Sequence, residues 1–168
     1  MTDLPLFTQL REVVRLAKVV QTQGQQLYVR YSVGPEQDLV VGASTNHVKR
    51  ESLAGLSFMA IPPMTWTKDD DAIVADAVFA YSYEIYHYPN IRGWLALGDE
   101  VGRGSDGEPL LRPVTPVAYL DPRLVIEACW RTSGEPLYMR VFGYGGVIDS
   151  MREDHGITWH KEREGVKV

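Results

Sequence analysis

Residues 93–120 read GWLALGDEVGRGSDGEPLLRPVTPVAYL. Two apolar runs, 93–101 and 109–120, flank the linker GRGSDGE. Its glycines and the Asp106-Gly107 pair are turn chemistry, so the stretch predicts two strands joined by a tight connection. The second strand carries Pro109, Pro113 and Pro116. None of them can donate a ladder hydrogen bond, so that strand is expected at a sheet edge or bent.

Outward from this pair, the pattern alternates with helices. Asp121-Pro122 reads as an N-cap and first helical residue, with Leu124, Val125, Ala128 and Cys129 on the buried face. On the other side, Thr67 is the expected N-cap of a helix whose first turn holds Asp69, Asp70 and Asp71. Its stripe is Ile73, Val74, Ala77, Val78, Tyr81 and Ile85, and it should end near His87, before Pro89. LSFMAI at 56–61 is a short strand stopped by Pro62-Pro63. Residues 34–54 are polar and broken by Gly34, Pro35 and Gly42, which predicts a long loop with a short strand at 39–41. Residues 26–33 favour a strand. Leu6, Leu10, Val13, Val14, Ala17 and Val20 share one helical face, with Gly24 at the C-terminal cap. A further strand is expected within 134–148 and a charged, partly disordered tail at 149–168. Helices and strands intermingle without regular βαβ units, so the fold class is α+β. The expectation is one domain over 1–148, a mixed or mostly antiparallel sheet packed with about three helices.

Bulk properties narrow the function. The formal net charge is −5 and no Lys/Arg block occurs, which argues against nucleic acid as a partner. Cys129 is the single cysteine, so an intramolecular disulfide is excluded and a cysteine zinc site is not expected. His47, His87, His155 and His160 lack metal-ligand spacing, and no metal is expected. No apolar run approaches the ~18–20 residues that span a bilayer, so no membrane insertion is expected. The N-terminus lacks a signal-peptide pattern, which points to a cytoplasmic protein or one exported without a leader. Phosphate-loop, dinucleotide-turn and zinc-helix motifs are absent from the sequence.

Three residues carry candidate chemistry. Arg30 lies inside the strand of LYVRYSVGPE (27–36), Ser57 in GLSFMAI, and Glu108 closes the glycine linker. A guanidinium grips phosphate in two-pronged fashion. A serine can orient that arginine or a ligand amide. A carboxylate can hold a ribose hydroxyl and favour an oxocarbenium-like state. Together they suit cleavage of the nicotinamide–ribose bond of NAD, with NAD as substrate. For each there is a structural alternative: Arg30 half exposed, or paired with a carboxylate such as Glu36 or Asp38, Ser57 as a helix cap or turn residue, and Glu108 on a solvated hairpin beside Asp106.

The order Arg30, Ser57, then Glu108 before "PLLRPVTPVAYL" resembles the Arg-Ser-Glu class of ADP-ribosyltransferases. That resemblance implies a split sheet and catalytic roles for Glu108 and Ser57. It also implies that Arg30 contacts the NAD phosphates and that Tyr31 or Trp66 stacks on nicotinamide. Separately, LYVRYSVGPEQD, LAGLSF, GDEVGRGSDGEPLL and PVAYLDP resemble a bacterial, actinobacterial-type domain family of unknown function, over about residues 27–130. Two other functions stand beside the transferase. The aromatic run YSYEIYHY at 81–88 and the proline-broken strand suit a protein-interaction module: an immunity partner, adaptor or phage-encoded inhibitor. A nucleotide-binding sensor without catalysis is the third.

Overall fold

A computed structural model describes residues 3–46, 49–80, 82 and 91–133 of the chain. The fold is α+β. Its frame is the expected hairpin, now two twelve-residue strands, β7 (Arg92–Arg103) and β8 (Pro109–Leu120). They pair antiparallel from Gly93↔Leu120 to Arg103↔Pro109. β2 (Tyr28–Ser32) lies antiparallel on the far edge of β7. β1 (Leu6–Phe7) adds parallel to the end of β8. A separate hairpin joins β3 (Thr45–Asn46) to β4 (Glu51–Ser52).

LSFMAI forms a strand bent at Phe58. Its first half, β5 (Leu56–Ser57), pairs with β8, and its second half, β6 (Met59–Ala60), pairs with β2. One segment therefore bridges the two outer strands and curls β2, β7 and β8 into a closed circuit. Closure demands a close approach at Gly55, where any Cβ would lie 2.5 Å from the Leu111 carbonyl oxygen.

Alternation along the strands gives the sheet two apolar faces. The inner face encloses Tyr28, Leu56, Phe58, Trp94, Ala96 and Leu111. The outer face, with Val29, Tyr31, Leu95, Ala118 and Leu120, packs against helices. These are α1 (Leu10–Thr22), α3 (Asp70–Phe79) and α4 (Pro122–Ser133). The stripe Leu10, Val13, Val14, Ala17 and Val20 is buried as its spacing requires. Glu12 reaches back to the Thr8 and Gln9 amides (3.0 and 3.1 Å), which fixes the start of α1. Gly24 ends the helix with φ +71. Asp121 caps α4 by accepting from the Arg123 amide at 2.8 Å.

Several expectations are corrected. Leu6 belongs to β1, not α1, because the segment before Gln9 is drawn onto β8 by the Tyr119 amide bonding to the Pro5 carbonyl. Residues 39–41 are not a strand. They end a fourth helix, α2 (Pro35–Val41), with Pro at its first position and Gly42 closing it at φ +78. β8 is no edge strand, since it pairs with β7, β1 and β5. Its other edge is covered only at the two ends, so Pro113 and Pro116 fall in the stretch that needs no second partner, and the ladder with β7 shifts register there. Thr67 is not the cap residue of α3. Asp69 holds that position, and Thr67 accepts its amide hydrogen bond at 3.3 Å. Tyr81, Ile85, His87, the expected strand within 134–148 and the tail lie outside the described residues.

Candidate functional site

Arg30 faces the interior of the curl, because it shares the β2 face of Tyr28 and sits opposite Trp94. Its guanidinium makes three hydrogen bonds among the described residues, through Nε and one terminal nitrogen. Nε donates to Asp38 Oδ2 at 2.8 Å. One terminal nitrogen donates to the Ser57 carbonyl at 2.7 Å and to Ser44 Oγ at 3.3 Å. Ser44 Oγ in turn accepts the Ser57 amide at 2.9 Å. The guanidinium carbon stands 5.9 Å from the centre of the Phe58 ring. The side chains of Arg30 and Asp38 keep only 17% and 12% of their exposure. The arginine thus ties β2 to α2, to the following loop and to β5, and its charge is matched by one carboxylate.

The other candidates fall elsewhere. Ser57 meets Arg30, but through its backbone carbonyl. Glu108 folds over its own turn: its Oε2 accepts from the Asp106 amide at 2.9 Å, and its carbonyl from the Gly104 amide at 2.9 Å. Tyr31 points to the opposite face of the sheet from Arg30, where its hydroxyl donates to the Val78 carbonyl of α3. Trp66 stands on the helical side of the molecule, half exposed, with the Lys18 ammonium 5.7 Å from its ring centre. The fold therefore gathers Arg30 and Ser57 and leaves Tyr31 and Trp66 apart from them.

Trp66 has φ +59, a conformation that a side chain rarely adopts. The buried Asp70 carboxylate holds it there. Oδ1 accepts from the Thr65 amide and hydroxyl, both at 2.7 Å, and Oδ2 from the Thr67 amide at 3.2 Å. Lys18 lies 3.5 Å away. Burial pushes the Asp70 carboxyl up, but the Thr65 hydrogen bonds and Lys18 outweigh it and hold the group below its ordinary 3.8. A carboxyl depressed on folding contributes stability above its unfolded pKa and loses it as pH falls through the folded value. The denaturation midpoint should therefore drop as pH falls below about 4. In Asp70→Asn the midpoint at pH 7 should be lower and its acid dependence weaker. Equal acid slopes in the two proteins would refute this role.

Among the described residues, clefts lie outside the curl. One, of about 440 Å³, runs between the start of α1 and the side of α4, lined by Arg11, Asp71, Arg123, Glu127 and Arg131 among others. Its arginines are paired: Arg11 with Asp71, Arg131 with Glu127, and Arg123 with Asp121. The second, of about 410 Å³, is lined by Gln25, Gln26, Asp99, Glu100 and Thr115. Tyr28 reaches toward Glu100 near this cleft, and burial followed by that carboxylate pushes its hydroxyl pKa up. Arg30, Tyr31, Ser57, Trp66 and Glu108 line neither cleft. Among the described residues no cluster of His, Cys, Asp and Glu could hold a metal ion. Nor is any helix there long and apolar enough to cross a membrane.

Sequence reasoning missed Ser32, Arg92 and Tyr119 on the inner face. Arg92 sits over Tyr119, its guanidinium carbon 3.6 Å from the ring centre. The period-two alternation that placed Arg30 also puts Ser32 on its face, so that part was legible.

These features define a small α+β protein with a curled sheet and an internally paired arginine. The chain belongs to the family of unknown function DUF6098, whose model matches residues 1–137. No curated protein and no solved structure matches it.

Proposed function

We propose that this protein is a non-enzymatic protein-interaction module that docks through α2. The observation that carries this is the inverted burial of that helix. α2 turns Pro35 and the charged Asp38 inward. It leaves Val40 and Val41 87% and 72% exposed, beside Leu39. A short helix ordinarily buries its apolar residues, and an exposed apolar patch is a contact surface. Leu39, Val40 and Val41 are consecutive, so they form an apolar tip at the C-terminal end of α2, a shape that suits insertion into an apolar groove of a partner. The occupant is a different protein with an apolar groove, since two copies of this chain would each bring a formal charge of −5. The setting is taken as cytoplasmic, in keeping with the single cysteine.

Affinity isolation with the wild type and with a Val40→Asp/Val41→Asp variant tests this. The partner recovered by the wild type alone should re-form a complex from purified components. The variant should match the wild type in stability within about 0.5 kcal/mol, because both positions are exposed. Recovery of the same partner by both proteins, or self-association through α2 in sedimentation, would refute it.

A second reading keeps NAD as substrate, and the meeting of Arg30 with Ser57 favours it. It requires Arg30 to exchange Asp38 for a pyrophosphate, and Glu108 to leave its turn for the ribose. Nicotinamide release from NAD, abolished in Glu108→Gln, would establish this reading. No release is expected.

A further inference from the structure

We propose that Ser32 and Arg92 form an oxyanion-binding site at the open end of the curled sheet. The two residues are direct partners in the β2–β7 ladder, so their side chains leave the same face as neighbours. Ser32 is only 7% exposed. Its Oγ accepts two hydrogen bonds, from the Gly34 amide at 3.1 Å and from Trp94 Nε1 at 2.9 Å. Both lone pairs are therefore used, and the hydroxyl proton must be donated. Among the described residues no acceptor meets it. A buried donor without an acceptor costs stability, and the remedy is an acceptor from outside.

Arg92 supplies the charge. Arg92, like Arg15, Arg50 and Arg112, meets no carboxylate among the described residues, and of these four it is the one that neighbours Ser32 in the ladder. Its guanidinium carbon lies 3.6 Å from the Tyr119 ring centre, and the residue is exposed, so its donors are open to a ligand. Arg30, two residues along the same face, adds no net charge because Asp38 neutralises it. Gly34 flanks the site at φ +132, a conformation suited to glycine, so no side chain crowds the Arg92 stem. The result is a cluster of donors: a planar cationic fork beside a hydroxyl proton. Such a set matches an acceptor-only group, the carboxylate or phosphoryl oxygens of a ligand, and offers nothing to a cation.

Nuclear magnetic resonance on the full chain tests the site. Sodium phosphate, sodium acetate and sodium chloride would be titrated at matched ionic strength while the Trp94 indole N–H resonance is followed. That N–H donates to Ser32 Oγ, so it should shift downfield when the hydroxyl donates to an anion. A saturable shift with phosphate or acetate is expected, and whichever binds more tightly assigns a phosphoryl or a carboxylate ligand. Arg92→Gln, at an exposed position, should fold normally and bind about tenfold more weakly or worse, as loss of a charged donor implies. The proposal is overturned if chloride gives the same shift as both oxyanions, or if Arg92→Gln titrates like the wild type.

Discussion

Arg30→Met is expected to destabilise the fold by about 3 kcal/mol, the lower end of the ~3–5 kcal/mol that follows removal of one partner of a buried ion pair. The lower end applies because Arg30 and Asp38 keep 17% and 12% exposure. The loss has two parts. Asp38 is left as an unpaired carboxylate in a low-dielectric setting, and the Ser57 carbonyl loses its 2.7 Å donor. In a domain of this size ~3 kcal/mol lowers the melting temperature by roughly 6–12 °C. The damage should centre on the contacts the arginine ties together, so exchange of backbone amides in α2 and β5 should quicken before that in β7 and β8. A guanidinium kept only for ligand binding would give the reverse: Arg30→Met with unchanged or raised stability.

Trp94→Ala has the second large effect. Trp94 is fully buried at the centre of the inner face, edge-on to Phe58 with ring centres 5.4 Å apart. Truncating a buried aromatic costs ~3–5 kcal/mol in lost transfer energy and residual cavity. The inner face has few ways to collapse around the gap, because β5–β6 is hydrogen-bonded at both ends. Trp94→Phe separates packing from polarity. It keeps an aromatic ring but removes the indole donor to Ser32, so it should cost about 1 kcal/mol plus a small volume term. Urea denaturation of both variants measures the difference. Equal costs would mean that the hydrogen bond, not the filled volume, dominates at this position.

The sequence made most of the frame legible, for reasons that can be named. The β7–β8 hairpin was readable because Asp106-Gly107 separates two long apolar runs. α1 was readable from its stripe, and α4 from Asp121-Pro122. What escaped was tertiary. Leu39, Val40 and Val41 have strand propensity, yet they are helical because Asp38 is pulled onto Arg30 and Gly42 closes the turn. The closure of the sheet was hidden because LSFMAI is too short to reveal that its two halves serve different neighbours. The strand with Pro109, Pro113 and Pro116 read as an edge or bent strand because local rules cannot see that its further partners cover only its ends, and its ladder with β7 is indeed irregular.

The candidate residues divide in the same way. Arg30 paired with Asp38 was among the readings open from the sequence, beside a half-exposed arginine, a pair with Glu36 and a phosphate grip, and the structure shows the Asp38 pair. Tyr31 could not share a face with Arg30 once the segment was a strand, since neighbouring side chains alternate. Glu108 was placed on the turn by its own chain position, and the Asp106 amide binds it there.

The central claim is that Arg30 is an internal clamp. A double-mutant cycle tests it most directly: Arg30→Met, Asp38→Leu and the combined variant, each unfolded in urea. A clamp predicts a coupling of about 2 kcal/mol, with the double variant more stable than Arg30→Met alone. Additive effects within about 0.5 kcal/mol would contradict it.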